Sequence, residues 1–290
     1  MTKFTQPITD LVQQRFSCRK YRKEAIPDEI QQSLTDVIQT VKSGPFGTPM
    51  RFDLVAAGDQ DGKALRSLGT YGFIQNPSGY VVGVVQQDGD YNLEEFGYRM
   101  EEIVLAATDL GLGTCWLGGT FMKSAFARKI GLHPGETMPA ILATGLIENE
   151  EQARKGLIRK TVAGTRRITW ERLFFDGEFG EPLDGEPLGK YQTVLEMLRI
   201  GPSASNKQPW RVVKWGQDFH FYLQRTPGYR NVLTRLVQIE DMQRLDMGIA
   251  MCHFELTARE LGLQGEWVFE DPGLALPDEL TEYLVSWRGI

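Results

Sequence analysis

The sequence predicts an α+β protein built from two tandem copies of one unit, and three observations carry that prediction. First, the chain repeats itself. Gly97–Trp116 set against Gly248–Trp267, at a constant offset of 151, matches at eight of twenty positions, including a shared Leu-Gly-Leu and the Trp that follows it. Background usage gives roughly one or two such matches. Second, apolar stripes at helical spacing alternate with short β-branched and aromatic runs along both halves. Third, each half carries a proline-bounded loop after a helix and before a strand: GPFGTPMRF at 44–52 and GPSASNKQPW at 201–210. Two copies of this length close on each other, whereas a solenoid needs more repeats. The expectation is an internal pseudo-dimer, with a first half over 1–170 and a second over 171–290, together one compact unit.

The elements follow in order. After Pro7, the apolar residues Ile8, Leu11, Val12 and Phe16 recur at helical spacing, with Thr9 a candidate cap. Pro27 reads as a first helical residue, followed by the stripe Ile30, Leu34, Val37, Ile38 and Val41, which Gly44 and Pro45 stop. Residues 51–58 read as a strand. Residues 80–86, YVVGVVQ, form a β-branched run long enough for a strand buried on both faces. A long helix over 96–110 follows, then the Gly-rich TCWLGG at 114–119, a short helix at 124–130 and a strand at 139–147. The charge-rich stretch 148–168 reads as a connecting arm. The second half then predicts a helix through Val194, Leu195 and Leu198, strands at 210–215 and 219–223, a long helix over 245–261, and the strand EWVFED. The two long helices are expected at the internal interface.

Composition narrows the function classes. The chain has 290 residues, 41% of them hydrophobic and 24% charged, enough for a sizeable core, and a net charge of −6. An acidic chain without a long basic run repels duplex nucleic acid, so no nucleic-acid partner is expected. Cys18, Cys115 and Cys252 are scattered and odd in number, which predicts a reducing compartment and no disulfide framework. No apolar leader or apolar run of spanning length is visible, so the expectation is a cytoplasmic protein without a membrane partner. His133, His220 and His253 lie in unrelated contexts, and no metal centre is expected.

Three stretches carry chemistry. In RFSCR, an extended backbone turns Arg15, Ser17 and Arg19 to one side, and two guanidiniums with a hydroxyl suit a phosphate. The alternative is a solvated strand edge. In TCWLGG, paired glycines let the backbone approach a flat ligand, or simply form a turn, with Cys115 inside it as a small buried hydrophobe. In PSASN, Ser203, Ser205 and Asn206 can hydrogen-bond a polar edge while Pro202 stiffens the loop, or the segment can be a capping turn before a strand. GLGTCWLGG follows a helix and not a strand, so it fails the context of a dinucleotide-binding loop.

Together the three resemble the nitroreductase family of flavin enzymes, through RFSCR (15–19), GLGTCWLGG (111–119) and PSASNKQPW (202–210). That family usually carries its proline-serine loop shortly after the R-x-S-x-R element. Here the early loop lacks the serines and the asparagine, and the intact loop lies in the second half, which lacks R-x-S-x-R. The chain most resembles the fused, single-chain branch called "putative TM nitroreductases". The resemblance implies a nitroreductase-like pseudo-dimer with one complete FMN site. Arg15 and Ser17 would meet the phosphate. Arg19 would lie nearer the ribityl and pyrimidine end, and the backbone of Leu117, Gly118 and Gly119 would meet the reactive edge. Pro202, Ser203, Ser205 and Asn206 would line the opposite side. Arg166 and Arg167 stand where the family closes the phosphate pocket, although a solvated linker charge explains them equally. Tyr71 and Asn76 stand where the family often touches flavin. The implied activity is FMN-dependent transfer of hydride from NAD(P)H to a flat acceptor such as a nitroaromatic or quinone, by a chain that is monomeric because its dimer is internal. The alternatives are an FMN-binding or sensing protein with little turnover, and a pseudoenzyme without flavin.

Overall fold

The structure, a computed structural model, describes residues 3–41, 44–56, 74–119, 121, 123–149, 166–229 and 240–290. Tyr71 and most of the charge-rich arm lie outside the described residues. The chain divides into two compact units, Met1–Thr165 and Arg166–Ile290.

In the first unit, helix α1 (Ile8–Gln14) buries Ile8, Leu11 and Val12. It starts one residue before Thr9, because Pro7 takes the flanking position and its carbonyl accepts from the N–H groups of Asp10 and Leu11. Thr9 is therefore a helical residue and not the cap. Helix α2 (Asp28–Thr40) likewise begins just after Pro27 and buries Leu34 and Ile38. Strands β1 (Met50–Ala56) and β2 (Gly79–Gln86) pair antiparallel, and seven of the eight β2 residues are buried, as a strand covered on both faces requires. Helix α3 (Asn92–Asp109) leads into β3 (Leu112–Leu117), followed by α4 (Lys123–Ile130), the short β4 (Glu136–Thr137) and β5 (Ile141–Leu146). The sheet order is β1-β2-β5-β3, with β4 beside β2.

One expectation is corrected here. Cys115 does not lie in a glycine turn. It sits in β3, in register with Ala143 of β5, and is buried. The glycine before it serves a close approach. A Cβ on Gly113 would fall 2.9 Å from both Cβ and Sγ of Cys18, so the residue must be glycine for the Arg15–Arg19 segment to lie along β3.

The second unit repeats the plan. After a 3-10 turn at Trp170–Arg172 comes β6 (Phe174–Asp176), then α5 (Lys190–Arg199), the hairpin β7 (Trp210–Trp215) and β8 (Asp218–Gln224), helix α6 (Met242–Glu260), β9 (Gly265–Val268) and β10 (Thr281–Gly289). The order is β6-β7-β8-β10-β9. Without β6, which pairs parallel to β7, and without β4 of the first sheet, the two sheets share their order and antiparallel pairing. Strand β10 was not predicted. It holds the place that β5 holds in the first sheet, between the hairpin and the strand after the long helix. Its core is aromatic: Phe254 of α6 meets Phe221 edge-on at 5.2 Å, and Trp267 meets Trp287 at 5.1 Å.

The repeat also carries a buried polar pair. The Trp116 indole donates to Glu101 at 2.8 Å, and the equivalent Trp267 donates to Glu255 at 2.6 Å. The two acceptors are not at equivalent positions. They differ by three residues, one turn along the same helix face, which keeps the bond while changing the residue that makes it.

Candidate functional site

In the first unit, the chain leaving α1 runs extended beside β3: Ser17 bridges Thr114, and the Cys18 N–H donates to the Thr114 carbonyl at 2.7 Å. Cys18 belongs to the core and Phe16 packs on it, so Arg15, Ser17 and Arg19 form the alternate set, as period-two geometry demands. The Arg15 side chain is only 7% exposed. Its Nε lies 3.7 Å from Glu101 Oε1 and makes no hydrogen bond. Burial lowers the pKa of this guanidinium, and the Glu101 carboxylate acts against that. The Arg19 guanidinium reaches the Cys115 thiol. Burial raises the thiol's pKa, and Arg19 and Arg15 oppose the rise. Two guanidiniums and a carboxylate thus lie close together beside β3, with Arg15 almost fully buried, and such a cluster of charged donors suits an anionic oxygen. Leu117 is buried at the end of β3, and the bend at Gly118 and Gly119 follows at once, with Gly119 exposed. Asn76, in the left-handed region at φ 56°, precedes β2.

In the second unit, the loop after α5 is held in an unusual shape. Ser205, Asn206 and Gln208 have φ of 51°, 55° and 49°, a region that costs a side-chain-bearing residue about 1 kcal/mol or more. Such backbone persists only where surrounding bonds over-determine it, and here they do. The Ala204 N–H donates to both oxygens of Asp246, at 2.9 and 3.1 Å. The Gln208 N–H donates to Ser203 Oγ at 2.9 Å. The Gln208 side chain, buried, accepts from the Ile168 N–H at 2.8 Å and donates to the Asn206 carbonyl at 3.0 Å. Asn206 donates to the Arg166 carbonyl at 3.0 Å and accepts from Arg167 at 3.0 Å. Arg167 also donates to the carbonyls of Ile200 and Gly201 at 2.7 and 2.8 Å. Burial pushes the Asp246 carboxyl well above the usual range, although the Ala204 N–H opposes it.

Ser17, Arg15 and Arg19 thus come together with Cys115 and Glu101, and Pro202 to Asn206 form one loop with Arg166 and Arg167 bound to its base. Arg167 braces this loop, a role the residue pattern did not suggest. Ser205 and Lys207 are exposed on it, while Pro202, Ser203 and Asn206 are half-buried. The residues missed from sequence are Glu101, Gln208, Asp246 and Glu95. The last two were within reach, because Asp246 and Glu95 extend the repeat at the same offset of 151.

A family model described as "Putative TM nitroreductase" matches residues 7–258. Among solved structures, the chain is similar over 99% of its length to 96% of a "putative nitroreductase" from Thermotoga maritima, at 20% identity and a TM-score of 0.59. It is also similar over 51% of its length to 90% of a "putative nitroreductase in complex with FMN" from Desulfovibrio desulfuricans, at 23% identity and a TM-score of 0.39. No curated protein matches. With 7–258 of 290 residues under the family model, the chain belongs to the TM nitroreductase family.

Proposed function

We propose that the chain binds one FMN and works as an NAD(P)H-dependent oxidoreductase on flat electrophiles such as nitroaromatics and quinones. Family membership makes it a nitroreductase-type enzyme. The observation that carries the cofactor reading is the closed Arg15 guanidinium, with a buried Nε that makes no hydrogen bond, on the same side of its segment as Ser17 and Arg19. A buried donor without a partner costs about 1–3 kcal/mol, and an anionic oxygen removes that cost.

FMN held by these residues would supply the hydride-accepting and electron-passing chemistry between a nicotinamide donor and the acceptor. The chain's part is binding and orientation. Arg15 and Ser17 take the phosphate. Arg19 would offer a cation to the ribityl and pyrimidine end and so would favour negative charge there. The backbone of Leu117, Gly118 and Gly119 offers a close approach without side chains at the last two positions. Pro202, Ser203, Ser205 and Asn206 supply the second contact surface. Arg167 acts as a positioning residue for that surface, since its guanidinium is engaged by the loop, and Arg166 contributes its carbonyl to the same brace. The first unit carries the guanidiniums of this set and the second carries the polar loop.

Anaerobic spectroscopy tests the reading. Purified protein should be yellow and release one FMN per chain. NAD(P)H under nitrogen should bleach it, and menadione or a nitroaromatic should restore the colour. Colour without bleaching would make it a flavin-binding protein without turnover. Colourless protein that does not take up FMN would remove the cofactor.

A further inference from the structure

A pocket lies wholly within the second unit, at the end of the sheet where β7, β8 and β10 meet the segment after β9. It has a volume of about 490 Å³, and Trp215, Asp218, His220, Glu270, Asp271 and Arg288 are among its lining residues. None of them has been assigned to the flavin.

The polar network behind the pocket fixes the state of His220. Tyr283 Oη lies 2.9 Å from the Glu270 carbonyl, which can only accept, so the tyrosine donates there. Tyr283 therefore accepts from Ser286 Oγ at 2.8 Å. The Ser286 hydroxyl, having donated its hydrogen, accepts from His220 Nδ1 at 2.6 Å. The chain of donors runs one way, from imidazole to serine to tyrosine to carbonyl. Neutral His220 then carries its proton on Nδ1, which leaves the Nε2 lone pair as an acceptor. His220 is only 6% exposed and lines the pocket, and among the described residues its one hydrogen bond is through Nδ1 to Ser286, which leaves Nε2 open to a donor. Burial lowers its pKa, and Asp218 and Asp271 oppose that shift.

The rest of the pocket is flat and acidic. Trp215 is 54% exposed, and its ring centroid is 6.3 Å from that of His220. Three carboxylates, Asp218, Glu270 and Asp271, face one guanidinium. Arg288 donates to Glu270 at 3.1 Å and lies 4.0 Å from Asp218, so the lining keeps an excess of two negative charges.

We infer that this pocket binds a flat organic cation bearing an N–H donor, which stacks on Trp215, donates to His220 Nε2 and is balanced by Asp218 and Asp271. An indole face attracts a cation and an imidazole lone pair demands a donor. A carboxylate or phosphate ligand would meet repulsion from all three acids. The inference does not rest on the flavin reading.

Benzamidine is the probe, titrated into the full chain by calorimetry, with benzamide and benzoate as neutral and anionic controls of the same shape. Benzamidine should bind saturably and about tenfold tighter than benzamide, the size of one charge-assisted contact, and benzoate should not bind. Trp215→Ala, at a half-exposed position that the fold tolerates, should weaken benzamidine about fivefold or more. His220→Phe, which keeps a ring and removes the acceptor, should do the same. Absence of saturable benzamidine binding, equal binding of the three probes, or binding that survives Trp215→Ala would each overturn the proposal.

Discussion

The two proline loops show what belongs to the fold and what belongs to function. Each follows a helix, precedes a strand at the same place in its sheet, and is pinned by a buried carboxylate from the start of the next long helix. Phe46 N–H donates to Glu95 at 2.6 Å, and Ala204 N–H donates to Asp246 at 2.9 Å. The carboxylates are 151 residues apart, the offset of the repeat. Burial raises both, Glu95 to about 7 and Asp246 well above the usual range. From there the loops diverge. The first reaches the left-handed region at Gly47, at little cost, and fills its bend by stacking Phe46 on Tyr91 at 4.8 Å. The second places a serine, an asparagine and a glutamine in that region and holds them with a web of side-chain bonds. The carboxylate anchor is shared architecture. Of the two loops, only the second carries the strained polar stretch.

The largest expected effect tests whether the first unit supplies what the strained loop lacks. Arg15→Ala should weaken FMN by about 1.5–3 kcal/mol, the range for a hydrogen bond to a charged group. Fluorescence titration of released FMN measures it, and unchanged affinity would detach Arg15 from the cofactor. Removing the anchors should separate the loops next. Asp246→Ala and Glu95→Ala each leave a backbone N–H without its acceptor, and each should lower unfolding stability by about 1–3 kcal/mol in urea. Only Asp246→Ala should also reduce FMN content. If Glu95→Ala reduces it equally, the first loop has kept a binding role.

Much of this comparison was legible in the sequence. The repeat offset, both loops and strand 210–215 follow from residue pattern, since apolar periodicity and proline punctuation are local signals. What escaped was non-local. Strand β10 mixes Ser286 and Arg288 into its aromatic run, and only pairing between β8 and β9 makes it a strand. Gly113's use, admitting Cys18 at close range, escaped because it involves a segment about a hundred residues earlier. Arg167 donates to carbonyls more than thirty residues on, bonds that no local pattern foretells. At the site, residue types were readable, and the direction of their hydrogen bonds was not.

The anchors also differ from ordinary carboxylates in how they respond to pH. Glu95 titrates near 7 in the folded chain against an ordinary 4.5, because burial outweighs the Phe46 N–H and Arg99. The folded state therefore holds this proton more tightly than the unfolded one. The stabilisation is complete below pH 4.5 and is lost as pH rises toward 7. Glu95→Gln keeps an acceptor for Phe46 and cannot ionise. Its melting temperature should fall less than the parent's across that window. Equal slopes would mean that another group, Asp246 included, carries the pH dependence.

The smallest effect tests the strain itself. Ser205 sits at φ 51°, ψ 24°, exposed, where glycine is unstrained. Ser205→Gly relieves about 1 kcal/mol of left-handed strain and returns part of it through the greater freedom of the unfolded glycine, for a net gain near 0.5 kcal/mol. Stability and binding should then move in opposite directions. The loop becomes slightly more stable, while FMN affinity drops because a hydroxyl is lost and a preset backbone is loosened. Glycine at Gly47 already holds the equivalent feature of the first loop, so Ser205→Gly makes the second loop more like the first. If FMN binding is unaffected, the left-handed serine is an accident of packing and the divergence of the loops lies in Asn206 and Gln208 alone.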